Sequence, residues 1–320
     1  MSLTSFFLIL LFSLTGASSA CLSKVYVRTC SPTPSNNNIF LFFNSLFACI
    51  YFAVSVRFAL TLDVEIAKYS VIYATLISVH LLVDLISLRM MSLVLYLVFQ
   101  GFGSTIVPCI AETIVFDAPI TPQTIISIVL MSLAILLPIF FAKQVGMNIK
   151  STIFGLLIML TCGCANFFGK FIVANQHVND NASSLFFFTN LFMMIIPITL
   201  MIQTIAKGQK ATAEENDSQE KITVLCKKKS FIDRFRSIFP GFGIIPLLVI
   251  LLCTISSNSG SLLSIILLRR VSMTLLSISS RAFSLLFSLL ASLFIFKENV
   301  RLPEIIALLL SLAGSIVIIL

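Results

Sequence analysis

Apolar residues occupy this chain in long blocks that are separated by short polar joints. Ten blocks can be drawn, at about 4–23, 39–60, 67–88, 91–115, 122–142, 151–174, 184–206, 239–268, 271–296 and 303–320. An α-helix needs roughly 20 apolar residues to cross a hydrocarbon layer about 30 Å thick. The pattern therefore predicts an all-α polytopic membrane protein with ten transmembrane helices. The eighth block is long, and Asn258-Ser259-Gly260 predicts a break or bend within it.

Positions in the first five blocks recur in the last five. Lys24 and Lys170 each close an apolar block and lie 146 positions apart. The same offset places Asn44 over Asn190, and phenylalanines flank both asparagines. Two copies of one pattern indicate a duplicated helical bundle, which is typical of secondary transporters. Lysines at such helix ends commonly extend to the membrane surface, and we expect this of Lys24.

A polar segment interrupts the second copy. Beyond it the offset grows to 180, as Arg89 and Arg269 show. The additional residues are the polar stretch at about 207–240, so the chain divides into repeats at 1–145 and 146–320. Each repeat holds five helices, and because five is odd the second repeat must enter the membrane from the opposite side. The sequence thus predicts two inverted five-helix repeats.

Composition narrows the functional classes. Of the 320 residues, 58% are hydrophobic and 11% are charged, which is too little polar surface for a soluble domain of this size. The net charge of +8 does not indicate nucleic-acid binding, because basic residues concentrate in the polar segment and at helix ends. The sequence holds no nucleophile–base set, metal-ligand cluster or phosphate-binding glycine loop. We therefore expect no enzyme activity, no metal and no cofactor.

The end of the chain carries the most characteristic motifs. The segment 277–284 holds an arginine among small residues, 291–298 ends on Glu298 at a tight turn, and a helix with small residues follows. This pattern resembles the drug/metabolite transporter superfamily, and within it the eukaryotic nucleotide-sugar transporters. The resemblance implies exchange of a cytosolic nucleotide sugar for a lumenal nucleoside monophosphate. It also implies a Golgi or endoplasmic reticulum membrane rather than the plasma membrane. Glu298 itself we expect to cap a helix.

The resemblance also marks candidate phosphate contacts. Arg281 lies well inside the ninth block, where a charged side chain costs roughly 2.5–3.5 kcal/mol on insertion and therefore faces a cavity or a partner. Arginine can hold a phosphate through two hydrogen bonds; the alternative is an ion pair with Asp84 or Glu112. Lys170 and Arg270 are further phosphate contacts or, equally, anchors at the membrane surface.

Two polar residues could meet other parts of the substrate. Asn190 could bind a base or the hydroxyls of a sugar while neighbouring phenylalanine rings stack on the base, or it could hydrogen-bond between helices. Ser280 suits either close helix packing or contact with a phosphate oxygen. The partners expected from these residues are a small anionic substrate and the lipid bilayer, with no nucleic acid. A homodimer is left open.

His80 and Asp84 lie one helical turn apart in the third block, so they share a face of the helix. Because histidine changes charge near neutral pH, the two could relay protons; otherwise they form a hydrogen-bonded pair. Glu112 is likewise within a block. This set favours an alternative function, a proton-coupled drug or metabolite carrier of the same fold. A third hypothesis is a non-transporting membrane scaffold whose polar segment binds a partner.

The orientation in the membrane is open at this stage. The resemblance places both termini in the cytosol, and the polar segment then lies in the lumen. The distribution of basic residues over the joints favours the opposite orientation. Asn216 in the polar segment and Asn181 in an earlier joint both begin Asn-X-Ser sequons. Glycosylation at Asn216 would place the polar segment in the lumen.

Overall fold

Helices make up all the regular structure of the described chain. The computed structural model describes residues 3–30, 33–116, 121–141, 147–203, 243–268 and 273–317, and these ranges contain no strand. Within them, the side chains of residues 3–5, 34, 105, 108–116, 170, 173, 265, 268, 273–282 and 315 are outside the described part. The polar segment at 207–240 also lies outside the described residues.

The described ranges form eleven helices, of which ten overlap the ten apolar blocks. They are α1 (Leu3–Thr29), α2 (Pro34–Ser55), α3 (Val64–Met90), α4 (Leu93–Phe116), α5 (Pro122–Phe140), α6 (Ile149–Ala174), α7 (Gln176–Asp180), α8 (Ala182–Met193), α9 (Ile244–Leu268), α10 (Met273–Phe294) and α11 (Leu302–Val317). After a turn at Met194 the chain is helical again over 195–203. The all-α prediction is confirmed for this part of the chain.

Seven of the described helices are long and apolar enough to cross a membrane: α1, α2, α3, α5, α6, α9, and α8 with its continuation. The remaining long helices, α4, α10 and α11, carry shorter apolar stretches at Leu93–Ser104, Phe283–Phe294 and Leu302–Gly314. In lipid, a helix satisfies all its backbone hydrogen bonds within one segment. Length and composition therefore describe a multi-pass membrane protein.

Short polar side chains begin several of these helices. Thr33, Asp63, Thr121 and Asn148 each precede a helix and accept a hydrogen bond from a backbone amide in its first turn. Such N-caps satisfy amides that have no partner within the helix. The polar joints therefore separate the apolar blocks and also define where the helices start.

The predicted break in the eighth block is wrong, because α9 runs without interruption through it. Packing against α1 explains the small residues there. A Cβ atom at Gly260 would lie 2.8 Å from Thr15 Oγ1, so only a residue without a side chain lets α1 come this close. Asn258 stays helical by donating to Thr254 O at 2.9 Å. The turn at Met194 and the short helix α7 were not predicted.

Contacts between the long helices occur in matched pairs. Take α1–α5 as the first set and α6, α8, α9, α10 and α11, in that order, as the second. Helix α1 packs on α9 and α10, and its counterpart α6 packs on α3 and α4. Likewise α2 packs on α9 and α8 packs on α3, while α2–α8, α4–α10 and α5–α11 are contacts between counterparts. The main neighbours of a helix thus have equivalents in the other set.

Candidate functional site

A cavity of about 490 Å³ lies at the centre of the bundle. Residues of α1, α2, α3 and α4 line it together with residues of α6, α8, α9 and α10, and Asn179 of α7. Among the described residues, α5 and α11 contribute none to the wall and pack on each other instead. This volume falls within the range of roughly 300–1,000 Å³ that is typical of small-molecule sites.

Three asparagines of the second helix set line the cavity in the same hydrogen-bonded arrangement. Asn166, Asn190 and Asn258 each donate from Nδ2 to the carbonyl oxygen four residues earlier in their own helix, at 2.9, 2.8 and 2.9 Å. Each bond uses one of the two Nδ2 hydrogens within the helix and fixes the orientation of the amide. The carbonyl oxygen Oδ1 is therefore the acceptor that each side chain offers to the cavity.

Asn44, which lies 146 positions before Asn190, also lines the cavity but is bonded differently. Its Oδ1 lies 2.9 Å from Thr254 Oγ1, and that hydroxyl also contacts Ile250 O at 2.8 Å. Asn44 is thus held by α9 rather than by its own helix. Thr189 lies next to Asn190 and is only 2% exposed. Its Oγ1 atom has no hydrogen-bond partner among the described residues. A buried hydroxyl on a cavity wall is costly unless something binds it.

Within the described cavity wall, Asp84 is the acidic residue, and His80 lies beside it on α3. His80 Nε2 lies 3.7 Å from Asp84 Oδ2, and His80 Nδ1 lies 3.3 Å from Thr161 Oγ1. On its other side, Asp84 Oδ1 accepts a hydrogen bond from the Tyr96 hydroxyl at 2.8 Å, and Gln100 donates to that hydroxyl at 3.0 Å. A chain of polar groups thus crosses from α6 through α3 to α4 along the cavity.

One end of the cavity is closed by Lys24, which the sequence predicted at the membrane surface. In α1 the cavity wall extends to Ser23, and the next residue, Lys24, is 5% exposed. Its ammonium group donates to Leu88 O at 2.7 Å and to Met91 O at 2.6 Å. The surface prediction is wrong because α1 continues past Lys24 to Thr29, which leaves the lysine inside the bundle.

Glu298, in the joint between α10 and α11, completes this closure. Its Oε1 lies 3.4 Å from Lys24 Nζ and accepts from Arg28 Nη2 at 2.7 Å. Its Oε2 accepts from Ser292 Oγ at 2.6 Å and from the Leu93 amide at 3.0 Å. Glu298 therefore caps the start of α4 rather than a helix next to it in sequence. We call this junction of α1, the α3–α4 joint and the α10–α11 joint the sealed end.

The surroundings of Glu298 favour its charged form. Burial by itself raises the pKa of the carboxyl group. The hydrogen bond from Ser292, the positive charge of Lys24 and the Leu93 amide outweigh burial and lower the pKa below its ordinary value. Glu298 thus remains an anion that can hold Lys24 at the sealed end.

The opposite end of the bundle is held by exposed groups, and we call it the α7 end. Asp63 caps α3 there and contacts His177 of α7 at 2.5 Å. The hydrogen bond to Asp63 raises the pKa of His177 above its ordinary value. Thr61 bonds to Asn181 at 3.0 Å and to Ser184 at 3.3 Å. Because Asn179 of α7 lines the cavity, the cavity reaches this end.

Several of the residues that the sequence predicted for the site lie at or near the central cavity. Asn190, His80 and Asp84 line the cavity. Arg281 and Ser280 belong to α10, within about a turn of Ser284, which lines the cavity. Their side chains lie outside the described part. The predicted role of each of these residues stays a prediction.

The remaining predicted residues are less fully placed. Lys170 directly follows Gly169, a lining residue of α6, and Glu112 belongs to α4, but neither side chain is described. Arg270 and Asn216 lie outside the described residues. Asn181 starts α8, and its Nδ2 donates to His177 O at 3.0 Å. Its glycosylation stays a prediction.

Four residues that the sequence did not single out belong to the site: Tyr96, Gln100, Thr189 and Thr254. Tyr96 and Gln100 are one helical turn apart, so the sequence predicts that they share a helix face. It does not predict that this face of α4 lies against Asp84. Thr254 contributes through Asn44 on another helix. No protein-family model and no curated protein matches this chain in sequence.

Proposed function

We propose that the protein is a secondary transporter of ten transmembrane helices, and that it moves nucleotide sugars or related anionic metabolites across an organelle membrane. The observation that carries the proposal is the central cavity, which is lined by polar and apolar groups and extends from the buried contacts of Lys24 at the sealed end to Asn179 at the α7 end. We infer that a solute enters this cavity from the α7 end.

The matched helix contacts support two inverted repeats as the basis of transport. Counterpart helices have equivalent neighbours, and the cavity lies between the first four helices of each repeat. Two repeats in opposite orientation can exchange conformations, and this exchange moves the closed end from one side of the cavity to the other. Alternating access follows from the arrangement without any further element.

Nucleotide sugars fit the chemistry of the cavity. The amides of Asn166, Asn190 and Asn258 can hydrogen-bond to sugar hydroxyls, while the aromatic rings of Phe186 and Tyr73 on the wall can stack on a base. The phosphates require positively charged side chains. We assign this role to Arg281, three residues before the lining residue Ser284, and to Lys170, which directly follows the lining residue Gly169. The proposed counter-substrate is a nucleoside monophosphate, and the proposed location is the Golgi or endoplasmic reticulum membrane.

Reconstituted vesicles test this proposal. We expect vesicles loaded with UMP, GMP or CMP to take up one of a panel of radiolabelled nucleotide sugars, and unloaded vesicles to take up far less. The substitution Arg281→Ala removes the proposed phosphate contact and abolishes exchange. Arg301→Ala is the matched control, because Arg301 is an exposed residue outside the central cavity. Uptake of an uncharged metabolite without any counter-substrate would overturn the proposal.

A second candidate function is supported by the His80–Asp84–Tyr96 set. A carboxylate within a membrane helix, paired with a histidine and facing a cavity, is a typical proton-binding arrangement. A proton-coupled carrier would show uptake driven by a pH gradient, and Asp84→Asn would uncouple it. Asp84→Asn without effect on gradient-driven uptake would exclude this function.

A further inference from the structure

The repeat-related asparagines of the cavity have different hydrogen-bond partners. Asn44 is bonded to the Thr254 hydroxyl of another helix, which also contacts Ile250 O, whereas Asn190 donates to its own helix and offers its carbonyl oxygen. Both side chains line the same cavity. The sequence repeat makes the two positions equivalent, so only the tertiary contacts create this difference.

Acceptors are concentrated on the second repeat. The carbonyl oxygens of Asn166 in α6, Asn190 in α8 and Asn258 in α9 are presented in the same manner, because each amide donates to its own helix. We call these three side chains the acceptor set. An Nδ2 atom tied to a backbone carbonyl also fixes the orientation of the amide, so Oδ1 does not exchange places with Nδ2. The cavity wall is therefore preorganised to receive donors on this side.

Thr189 gives an independent sign that a ligand group binds beside the acceptor set. Its side chain is buried, and Oγ1 makes no hydrogen bond among the described residues. An unmade hydrogen bond at a buried polar atom costs roughly 1–3 kcal/mol. Two neighbouring hydroxyls of a ligand suit this position, since one can accept a hydrogen bond from Thr189 while the other donates to Asn190.

We propose that the cavity binds a hydroxyl-rich group, the sugar of the substrate, with its hydroxyls donating to the acceptor set. This inference rests on the proposed function in one respect, since it takes the central cavity as the substrate site. It adds the orientation: the donors of the sugar point to α6, α8 and α9.

Deoxy and deoxyfluoro sugars separate donation from acceptance. Replacing a hydroxyl by hydrogen removes both a donor and an acceptor, whereas replacing it by fluorine removes the donor and retains a weak acceptor. If a hydroxyl donates to the acceptor set, both analogues lose the same bond. If the hydroxyl instead accepts, the fluorinated analogue keeps part of its affinity.

The experiment measures binding of UDP-glucose, UDP-galactose, UDP-N-acetylglucosamine and GDP-mannose to the purified full chain by the shift in thermal unfolding midpoint. For the probe that binds most tightly, we expect at least one carbon at which the deoxy and deoxyfluoro analogues both bind about 10-fold more weakly. If the deoxyfluoro analogue regains affinity at every carbon where the deoxy analogue loses it, the inference is overturned.

Variants locate the effect in the acceptor set. Asn190→Leu or Asn258→Leu removes a carbonyl oxygen, so the parent probe and its deoxy analogue should then bind with equal affinity. Asn44→Leu is the matched control, since it removes an amide of the first repeat and should leave the deoxy penalty in place. A deoxy penalty that survives both acceptor substitutions also overturns the inference. The analogue series on the unaltered protein decides the question even where a variant fails to fold.

The outcomes separate this inference from the proposed function. If nucleotide sugars bind and their deoxyfluoro analogues bind equally well at every carbon, the acceptor set is contradicted and the transport proposal stands. Binding of methyl glucoside with the same fluorine intolerance, without binding of any nucleotide sugar or nucleotide, supports the acceptor set and contradicts the nucleotide-sugar proposal. No binding of any probe at millimolar concentration contradicts both.

Discussion

The two ends of the bundle differ in the burial of their ion pairs. At the sealed end, Lys24 is buried and contacts two backbone carbonyls and Glu298. At the α7 end, the side chains of His177 and Asp63 are 53% and 42% exposed, and they form a single ion pair. Helix α3 runs between these ends, since Asp63 starts it and Leu88 lies in its last turn.

This difference in burial predicts which end of the bundle opens less readily. Removing one partner of a buried ion pair leaves an uncompensated charge, which costs about 3–5 kcal/mol. An exposed ion pair exchanges its partner for water at little cost. We therefore expect the α7 end to rearrange readily, while opening of the sealed end requires Lys24 and Glu298 to separate and be solvated. Under the proposed transport function, this separation would be the main barrier between the two access states.

The largest effect is expected from breaking the buried pair. Lys24→Met leaves Glu298 without its buried cation, and Glu298→Gln leaves Lys24 without its anion, so either should open the sealed end. The native thiol of Cys253 lines the cavity and reports on access. We expect its labelling by a membrane-impermeant maleimide, measured by mass spectrometry from each side of reconstituted vesicles, to rise strongly from the sealed side.

A control at the same end makes this test specific. Glu304 accepts hydrogen bonds from Ser92 Oγ and from the Arg301 amide, neither of which belongs to α1. Glu304→Gln should therefore leave labelling of Cys253 from the sealed side low. Unchanged labelling in both Lys24→Met and Glu298→Gln would show that the pair does not close the cavity.

Acid should produce a smaller opening through Glu298. Because the folded pKa of Glu298 lies below the ordinary value of 4.5, its charge stabilises the closed state above that pH. This stabilisation is lost as the pH falls from 4.5 through the lower folded pKa. The protection of the Leu93 amide against hydrogen exchange, corrected for the intrinsic pH dependence of exchange, should fall over this window in the native protein, because this amide donates to Glu298. In Glu298→Gln the corrected protection should not depend on pH there, and a pH-dependent fall in that variant would assign the effect to another group.

Arg28 should matter less than Lys24 although both contact Glu298. Its side chain is 44% exposed, and it stacks over the Phe296 ring at 4.9 Å while donating to Glu298. Solvent screens such a partner, so we expect Arg28→Gln to lower the free energy of unfolding by about 0.2–1 kcal/mol. Denaturant titration in detergent measures this change. A loss as large as that of Lys24→Met would mean that burial does not distinguish the two cations.

The smallest effect is expected at the α7 end. The raised pKa of His177 means that its ion pair with Asp63 is fully present below pH 6.5 and is lost as pH rises through the higher folded value. The rate of amide hydrogen exchange over 175–182 should then rise with pH slightly more steeply than the intrinsic exchange rate does. His177→Asn should remove this excess, whereas Thr61→Val, which breaks uncharged bonds to the same joint, should preserve it.

Several parts of the site were within reach of the sequence. His80 and Asp84 share a helix face because of their spacing, and they do line the cavity. Asn190 was selected because its surroundings repeat those of Asn44. The sealed end was not predictable in this way. Lys24 ends an apolar block in the sequence, and nothing local shows that α1 continues for another turn inside the bundle.

The spacing of apolar residues was enough to predict the helical, membrane-spanning character of the described chain. Apolar blocks of about 20 residues leave the backbone in lipid only one local way to satisfy its hydrogen bonds. Which charges are buried, and which partners the cavity amides bind, depends on tertiary contacts. Lys24 acquires its partners at Leu88, Met91 and Glu298, and Asn44 its partner at Thr254, from residues distant along the chain. Positions with similar sequence surroundings, such as Asn44 and Asn190, therefore acquire different chemistry because their neighbours differ.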